Sequence, residues 1–169
     1  MPDPDLPQLD LDAQLCFPLY AATRALTRRY GALLAEAGLT YPQYLCLLAL
    51  WENGRDRAPL TVSALGRRLR LDSGTLTPVL KRLEAAGLLT RRRDPADERR
   101  VLVELSEPGW SLRERVAEVP ARLVEGLTFS PQEAVQLRGL LGRLLADLDA
   151  APAPRSQSGS GAEPGSAQD

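Results

Sequence analysis

Residues 60–105, LTVSALGRRLRLDSGTLTPVLKRLEAAGLLTRRRDPADERRVLVEL, contain two short helical patterns followed by two apolar strands with a charged turn between them. Thr61 is the expected N-cap of the first helix, and Asp72 is the expected N-cap of the second. Gly87 is expected to end the second helix. This order predicts a winged helix-turn-helix, a module that reads DNA with a helix and a β-wing.

Hydrophobic periodicity places the remaining elements. Residues 88–93 and 101–105 are the predicted wing strands, with Asp94-Pro95-Ala96-Asp97 as the turn between them. Further helical patterns occur at about 9–37, 40–51, 107–125 and 131–149. The predicted fold is mainly α with a small β-wing, a winged helix-turn-helix with N- and C-terminal dimerisation helices.

The outer helices predict a homodimer. The first helix and the last two have more apolar surface than a winged module of this size can cover, and a second copy would bury it. The two recognition helices of such a dimer would meet half-sites roughly 34 Å apart on a pseudo-palindromic operator. Double-stranded DNA and a second copy of the chain are therefore the expected partners.

One domain is expected over residues 9–150. Its DNA-binding lobe is placed at about 55–105 and its dimerisation helices at about 9–37 and 107–149. The ends, 1–8 and 151–169, are expected to be disordered. Fifteen of residues 150–169 are Ala, Pro, Gly or Ser, a composition that cannot build a core.

Composition and charge narrow the class of protein. The chain is 44% apolar and 25% charged, and no apolar run approaches the ~20 residues of a membrane helix. The acidic start MPDPDLPQLD does not resemble a signal peptide, so a cytoplasmic location without a membrane partner is expected. Residues 55–104 carry twelve Arg or Lys and seven Asp or Glu, a basic segment in a chain of net charge −1.

The absence of histidine from the sequence argues against an enzyme. Without histidine there is no Ser-His or Cys-His nucleophilic pair and no His-ligated metal. The two cysteines, thirty positions apart, do not have the spacing of metal ligands. We therefore expect no metal, no cofactor and no catalytic residue.

The second helix of the motif offers the candidate DNA contacts. Leu76, Val79, Leu80 and Leu83 form one apolar stripe that is assigned to packing. The candidates on the outside, with the capping residue included, are Asp72, Ser73, Thr75, Thr77, Lys81 and Arg82. Threonine and serine can meet base edges or thymine methyls, and arginine a phosphate or guanine. Arg92, with its neighbours in the first strand, is expected to touch phosphates rather than bases.

Two motifs carry a resemblance to a known family. The order of the helices, and Asp97-Glu98-Arg99 followed by Leu105-Ser106-Glu107-Pro108-Gly109, resemble the MarR family of bacterial transcription regulators and its D-x-R…L-T-x-x-G signature. Ser106 stands where that signature has threonine. The segments QLCFPLYAATR, GLTYPQYLCLLALWE and LDSGTLTPVLKRLEAAGLLTR are similar to the organic hydroperoxide resistance regulators within the family.

The resemblance implies a redox role for Cys16. In such regulators the matching cysteine senses peroxide, and tyrosines matching Tyr30 and Tyr41 reach it from the other subunit. A thiolate is the nucleophile toward peroxide, and phenolic O–H groups are suitable donors to it in a chain without histidine. The apolar neighbours Leu15 and Phe17 would favour organic hydroperoxides. The alternative is that Cys16 is an inert small hydrophobe, the usual fate of a cysteine in an apolar helix.

Cys46 and Arg99 complete the expected sites. Cys46 lies in the apolar run LCLLALW and is expected in the core, which leaves a one-cysteine route through sulfenic acid to a mixed disulfide with a small thiol. Arg99, at the wing turn, would enter a narrow A·T minor groove. It would alternatively, or in addition, form an ion pair with Asp97 or Asp94.

Three functions remain open from the sequence. The leading one is a repressor that releases its operator when organic hydroperoxide oxidises Cys16. The second is a regulator of the same fold that is released by a small phenolic or lipophilic ligand without cysteine chemistry. A thiol peroxidase that uses Cys16 is disfavoured, because no resolving cysteine is placed for turnover and the basic wing would have no purpose.

Overall fold

The chain alternates helices with one small sheet. The computed structural model describes residues 6–53 and 59–151. Its regular elements, in chain order, are α1 (Cys16–Leu34), α2 (Tyr41–Asn53), β1 (Leu60–Thr61), α3 (Val62–Leu69), α4 (Ser73–Ala85), β2 (Leu89–Asp94), β3 (Asp97–Leu105), α5 (Glu107–Arg115), α6 (Val119–Val124) and α7 (Pro131–Ala150). Residues 1–5 and 152–169, which include most of the two ends predicted to be disordered, lie outside the described residues.

The first helix is shorter than the sequence predicts. The helix expected over 9–37 begins only at Cys16, and short 3-10 turns at Pro7–Leu9 and Leu11–Ala13 precede it. Pro18 explains the late start, because proline fits without cost only in a first turn, where backbone N–H groups have no helical partner. The consequence is that Cys16 stands at the N-terminus of α1 rather than inside a helix.

The helix-turn-helix forms as the capping residues predict. The Thr61 side chain accepts from the backbone N–H of Ala64 at 3.1 Å, and α3 begins directly after it. The helix α4 begins after Asp72 and continues through Pro78 to Ala85. Gly87 then takes a left-handed φ of 71°, which ends the helix as expected.

The wing is a three-stranded antiparallel sheet in the order β1-β3-β2. The first wing strand has the predicted length but lies one residue later, and the second begins four residues earlier than predicted, at Asp97. The register of their pairing shifts between Arg93 and Asp94. The sequence analysis missed β1, in which Leu60 pairs with Val103. Two residues are too few for a strand period to show.

The region after the wing also differs from the prediction. The single helix expected over 107–125 is wrong, because the structure has α5 and α6 with a break at 116–118. Pro120 gives the reason: it has no N–H for the Val116 carbonyl, and its ring disfavours a continuous helix. The helix α7 starts at a capping box, in which Ser130 and Glu133 bond each other's backbone N–H groups.

The core lies where α2, α3, α4 and the sheet meet. Its largest fully buried side chains include Leu34, Tyr44, Leu47, Leu65 and Leu80. The described residues up to Glu125 form one compact unit, and those from Gly126 on form a second. Among the described residues, no single helix is long and apolar enough to cross a membrane, although one pair bent by 74° passes on length and composition.

Candidate functional site

The outer side of α4 presents the polar residues that the sequence assigns to DNA. Leu76, Leu80 and Leu83 are buried, which fixes the face of the helix that packs on the core. The assigned residues Ser73, Thr75, Lys81 and Arg82 are exposed, and Thr77 is half-buried. The structure thus places this set on the helix that the motif predicts to enter the major groove. Their contact with DNA stays a prediction.

Asp72 is engaged by its own helix. Its Oδ1 accepts from the backbone N–H of Thr75 at 2.8 Å, and its Oδ2 accepts from the Thr75 hydroxyl at 2.8 Å. These bonds, above all that of the hydroxyl, lower the pKa of the Asp72 carboxyl. Because the Thr75 proton is committed to Asp72, Thr75 can offer a base edge only its oxygen lone pairs and its methyl group.

An ion pair joins α4 to the wing. The Arg91 Nε lies 3.0 Å from Glu84 Oε2, and the Arg91 backbone N–H lies 3.1 Å from Oε1. Hydrogen bonding by Arg91 lowers the pKa of the Glu84 carboxyl. Arg91, which the sequence grouped with Arg92 as an expected phosphate contact, is therefore bound to Glu84 within the protein and is only 23% exposed.

The predicted DNA-binding arginines of the wing, Arg92 and Arg99, form only weak ion pairs within the protein. Arg92 Nε lies 3.8 Å from Glu104 Oε2, and half of the Arg92 side chain is exposed. Arg99 is 94% exposed, with its Nε 3.4 Å from Asp97 Oδ1. This weak pair confirms Asp97 as the partner that the sequence analysis allowed, while the Asp94 carboxylate lies 3.6 Å from Arg100. Arg99 can therefore be withdrawn from Asp97 at little cost, since such exposed pairs contribute little.

A hydrogen-bonded joint connects the end of α4, the end of the wing and α2. The Ser106 hydroxyl donates to the Gly87 carbonyl at 2.6 Å, and its backbone N–H donates to Leu88 at 3.1 Å. The Gly109 N–H in turn donates to the Ser106 hydroxyl at 3.1 Å, and the Gly109 carbonyl accepts from the Trp51 indole at 3.0 Å. Ser106 and Gly109 belong to a motif that is visible in the sequence, but no local pattern points to Trp51, which is distant in the chain.

The Cys16 thiol is open to solvent. Cys16 is the first residue of α1 and is exposed. Leu15 beside it is 67% exposed, while Phe17 and Leu19 are half-buried. The thiol therefore lies next to apolar side chains, at a place that a solute can reach. In the part of the chain that the structure describes, no group of His, Cys, Asp or Glu side chains could hold a metal ion.

Tyr30 and Tyr41 form a stacked pair. Their ring centroids are 4.4 Å apart with an interplanar angle of 17°. Tyr44, which the sequence analysis did not single out although it lies one helical turn from Tyr41, packs 5.8 Å from Tyr30. Burial raises the pKa of all three phenols. Their hydroxyl groups therefore stay protonated near neutral pH and remain hydrogen-bond donors.

Within one chain the structure does not bring Cys16 to this pair. Cys16 and Tyr30 stand at opposite ends of the same helix, fourteen residues apart. At the helical rise of 1.5 Å per residue this is roughly 21 Å along the axis, far beyond hydrogen-bond reach. A contact of the Cys16 thiol with the Tyr30–Tyr41 pair therefore requires a second copy of the chain.

Cys46 is part of the core, as the sequence predicts. It lies on α2 with none of its surface exposed, and burial raises the pKa of its thiol to about 12. At neutral pH it is a neutral thiol without access to solutes, and such a thiol is a poor nucleophile.

A groove lies between α2 and α5. It has a volume of about 760 Å³, and its lining includes Tyr44, Trp51, Trp110 and Arg113. The lining also includes Glu52, so the groove has aromatic walls with one cation and one carboxylate, a composition that suits a flat, largely apolar small molecule.

Relatives of known function agree with this architecture. A model of the MarR family matches residues 39–101. The chain is 46% identical over 140 residues to the organic hydroperoxide resistance transcriptional regulator of Bacillus subtilis strain 168, a match that covers 83% of this chain and 92% of that protein. It is 48% identical over 133 residues to the HTH-type transcriptional regulator TtmR of Methylorubrum extorquens strain PA1, covering 78% and 66%.

Solved structures agree on the fold. The structure of reduced AbfR bound to DNA superposes with a TM-score of 0.72 at 35% identity, covering 86% of this chain and 99% of that one. A second structure, AbfR of Staphylococcus epidermidis, superposes with a TM-score of 0.70 at 35% identity, covering 87% and 99%. The matched proteins are regulators of transcription rather than enzymes. The structure is a winged helix-turn-helix, and the match to the Bacillus subtilis regulator covers most of both chains. This chain therefore belongs to the MarR family of DNA-binding transcription regulators.

Proposed function

We propose that this regulator is a homodimeric repressor that releases its operator when an organic hydroperoxide oxidises Cys16. The observation that carries the proposal is the contrast between the two cysteines. Cys16 is exposed at the start of α1, whereas Cys46 is buried with a raised pKa. The similarity to the Bacillus subtilis organic hydroperoxide resistance regulator supports the same assignment.

A second copy of the chain would complete the sensing site. The apolar residues Leu15, Tyr20 and Leu26 on and next to α1 are exposed, and so are Leu137, Leu140 and Leu148 on α7. Exposed apolar surface of this extent is typical of a subunit interface. A two-fold arrangement in which the α1 helices meet could place Cys16 of one copy beside Tyr30 and Tyr41 of the other.

The chemistry needs only the peroxide and a small thiol. The Cys16 thiolate attacks the outer peroxide oxygen and takes it with its hydrogen as the O–O bond breaks, so that Cys16 becomes a sulfenic acid; the alkoxide that leaves takes a proton from water and becomes the alcohol. A small thiol then displaces water from that sulfenic acid and forms a mixed disulfide. The apolar residues Leu15, Phe17 and Leu19 favour a hydroperoxide with a hydrocarbon group.

Release would follow from crowding at the subunit boundary. A Cys16 that carries a small thiol is larger and more polar than the free thiol. The start of α1 in one copy and the tyrosine pair of the other copy would therefore have to move apart. The two recognition helices would then lose the spacing that one duplex turn demands. A difference of a few kcal/mol between the two dimer states is enough to empty most operators.

The primary test uses a duplex chosen by the protein itself. A DNA duplex is selected from a randomised pool for binding to the reduced protein, and gel shift is repeated after treatment with cumene hydroperoxide and cysteine. We expect release together with the loss of one titratable thiol per chain. Release without thiol loss, or thiol loss without release, would contradict the proposal.

Arg99→Ala is expected to weaken binding to the selected duplex roughly tenfold, or about 1.4 kcal/mol, because the variant has no cation for the minor groove. The slope of log K against log salt should fall by about 0.9 for each phosphate that the variant no longer neutralises. Fluorescence anisotropy at several salt concentrations measures both. Arg28→Ala, which removes an exposed arginine from α1, is the matched control, and equal effects in both variants would refute the wing assignment.

Tyr30→Phe and Tyr41→Phe are expected to leave affinity for the selected duplex nearly unchanged and to slow oxidation of Cys16 roughly tenfold. Each removes one donor to a thiolate, a bond that contributes about 1.5–3 kcal/mol. Stopped-flow loss of the thiol under excess peroxide gives the rate. Tyr44→Phe makes the same change in the same cluster, and an equal slowing there would point to ring packing rather than to a donated bond.

The groove between α2 and α5 supports a second candidate, a regulator that a phenolic or lipophilic ligand releases from DNA. Salicylate is a suitable probe because it is flat, phenolic and anionic. If salicylate released the duplex from Cys16→Ser protein while peroxide did not release it from the parent, this second function would replace the first.

A further inference from the structure

The turn between α3 and α4 contains a residue in an unfavourable backbone conformation. Arg70 has φ 55° and ψ 40°, in the left-handed region. Within 6–53 and 59–151 it is the only residue other than glycine with a positive φ. In this region the Cβ of an L-residue crowds its own backbone, a strain that glycine avoids.

The neighbouring backbone imposes this conformation. The Arg70 N–H donates to the Arg67 carbonyl at 3.3 Å, and the Leu71 N–H donates to Gly66 at 2.9 Å. A Cβ on Gly66 would lie 3.0 Å from the Leu71 carbonyl oxygen, so the turn packs tightly against α3. Position 70 is therefore a place where glycine would fit the backbone best, and the chain has an arginine there.

The Arg70 side chain lies next to the start of α4, where the candidate DNA contacts begin. It is exposed and lines a groove together with Arg67 and Ser73, the latter being a candidate DNA contact. Asp72 lines the same groove, but both of its carboxylate oxygens accept hydrogen bonds from Thr75, which lessens its repulsion of an anion.

Helix-turn-helix geometry identifies what this groove faces. The start of the second helix enters the major groove while the first helix crosses the DNA backbone. The turn that joins them therefore lies over the sugar-phosphate chain at the edge of the groove. A guanidinium fits a phosphate at that place through paired hydrogen bonds.

We propose that Arg70 binds a phosphate at the rim of the major groove, with Arg67 beside it, and that this contact is what the strained backbone provides. The proposal rests on the DNA binding of this regulator and adds a contact that is independent of base sequence. The strain and the contact can be separated by substitution, because glycine removes both and asparagine removes only the charge while tolerating the left-handed region.

The test measures the Tm and the affinity for the selected duplex, which should change in opposite directions in Arg70→Gly. Arg70→Gly is expected to raise the Tm by roughly 3 °C through relief of strain. It should also lower affinity for the selected duplex about eightfold per bound chain at 0.1 M salt, and reduce the slope of log K against log salt by about 0.9. Arg70→Asn should match the decrease in affinity and slope, and Arg70→Lys should retain most of the slope.

Arg68→Ala is the matched control, because it removes an exposed arginine of α3 whose guanidinium lies 2.7 Å from Glu52 of α2. It should leave the salt slope unchanged. If Arg70→Gly and Arg70→Asn both keep the parent's slope, the proposal is overturned, whatever happens to the Tm. If the parent shows no salt-dependent binding to any selected duplex, the DNA-binding function fails instead of this contact.

Discussion

Cys16→Ser is expected to bind the selected duplex as tightly as the parent and to remain bound after cumene hydroperoxide, whereas the parent loses at least about thirtyfold in affinity, or roughly 2 kcal/mol. Serine preserves the shape of the side chain, so the reduced dimer should be undisturbed. A hydroxyl cannot be oxidised to a sulfenic acid, so neither the polar nor the thiol-capped state can form. Gel shift before and after oxidation, in the presence of cysteine, measures the effect.

Cys46→Ser is the matched control. Burial raises the pKa of Cys46 to about 12, so the thiol is neutral and inaccessible, and its removal should leave the peroxide response intact. The substitution buries a hydroxyl where sulfur had packed, with an expected decrease of about 1–3 kcal/mol in stability. If Cys46→Ser were the variant that stayed bound under peroxide, or if Cys16→Ser still released, the sensing assignment would be wrong.

Gly109→Ala is expected to be the most destabilising of the glycine-to-alanine substitutions within the described residues. A Cβ at Gly109 would lie 2.0 Å from the Leu88 carbonyl oxygen, a backbone atom that already accepts from Ser106. To avoid this clash, the start of α5 would have to move away from the end of α4. The hydrogen bonds of Ser106 and Gly109 that form the joint would then break. We expect a decrease of about 3 kcal/mol in stability and a fall in Tm of roughly 10 °C, measured by thermal unfolding at fixed protein concentration.

Gly31→Ala makes the same chemical change without the clash. Nothing lies within 4 Å of a Cβ at Gly31, which is inside α1. Alanine is the better helix former by about 1 kcal/mol, so this variant should be as stable as the parent or slightly more stable. A small effect of Gly109→Ala, comparable to that of Gly31→Ala, would show that α5 can shift freely and that the joint does not fix the recognition helix.

The joint also bears on the proposed release. Tyr44 packs against Trp51 with ring centroids 6.4 Å apart, and Trp51 bonds the Gly109 carbonyl. The tyrosine cluster and the end of α4 are thus connected by direct contacts inside one chain. A shift of the tyrosines would therefore reach α4, the recognition helix, through these few contacts.

Local signals in the sequence were sufficient to predict where most helices of the DNA-binding lobe begin and end. Thr61 and Asp72 each cap a helix that begins at the next residue, as predicted, and Ser130 caps α7 in the same way. Gly87 ends α4 because its left-handed φ suits glycine. Capping and termination depend on a few adjacent residues, so they can be read without knowledge of the fold. Pro18 and Pro120 lie in the first turns of α1 and α6, so the starts of these helices could also have been predicted, and the helices predicted over 9–37 and 107–125 begin too early or run through a break.

The sequence by itself determined the motif, the capped helices, the apolar stripe of α4, the family resemblance and the burial of Cys46. Only the tertiary structure decided that β1 pairs with β3, that Arg91 belongs to Glu84, and that Trp51 bonds Gly109. It also decided that Cys16 and the tyrosine pair cannot meet within one chain. The first and third of these contacts join residues far apart in the chain, and the second joins a helix to a strand. Such pairings depend on how whole elements pack rather than on any local pattern.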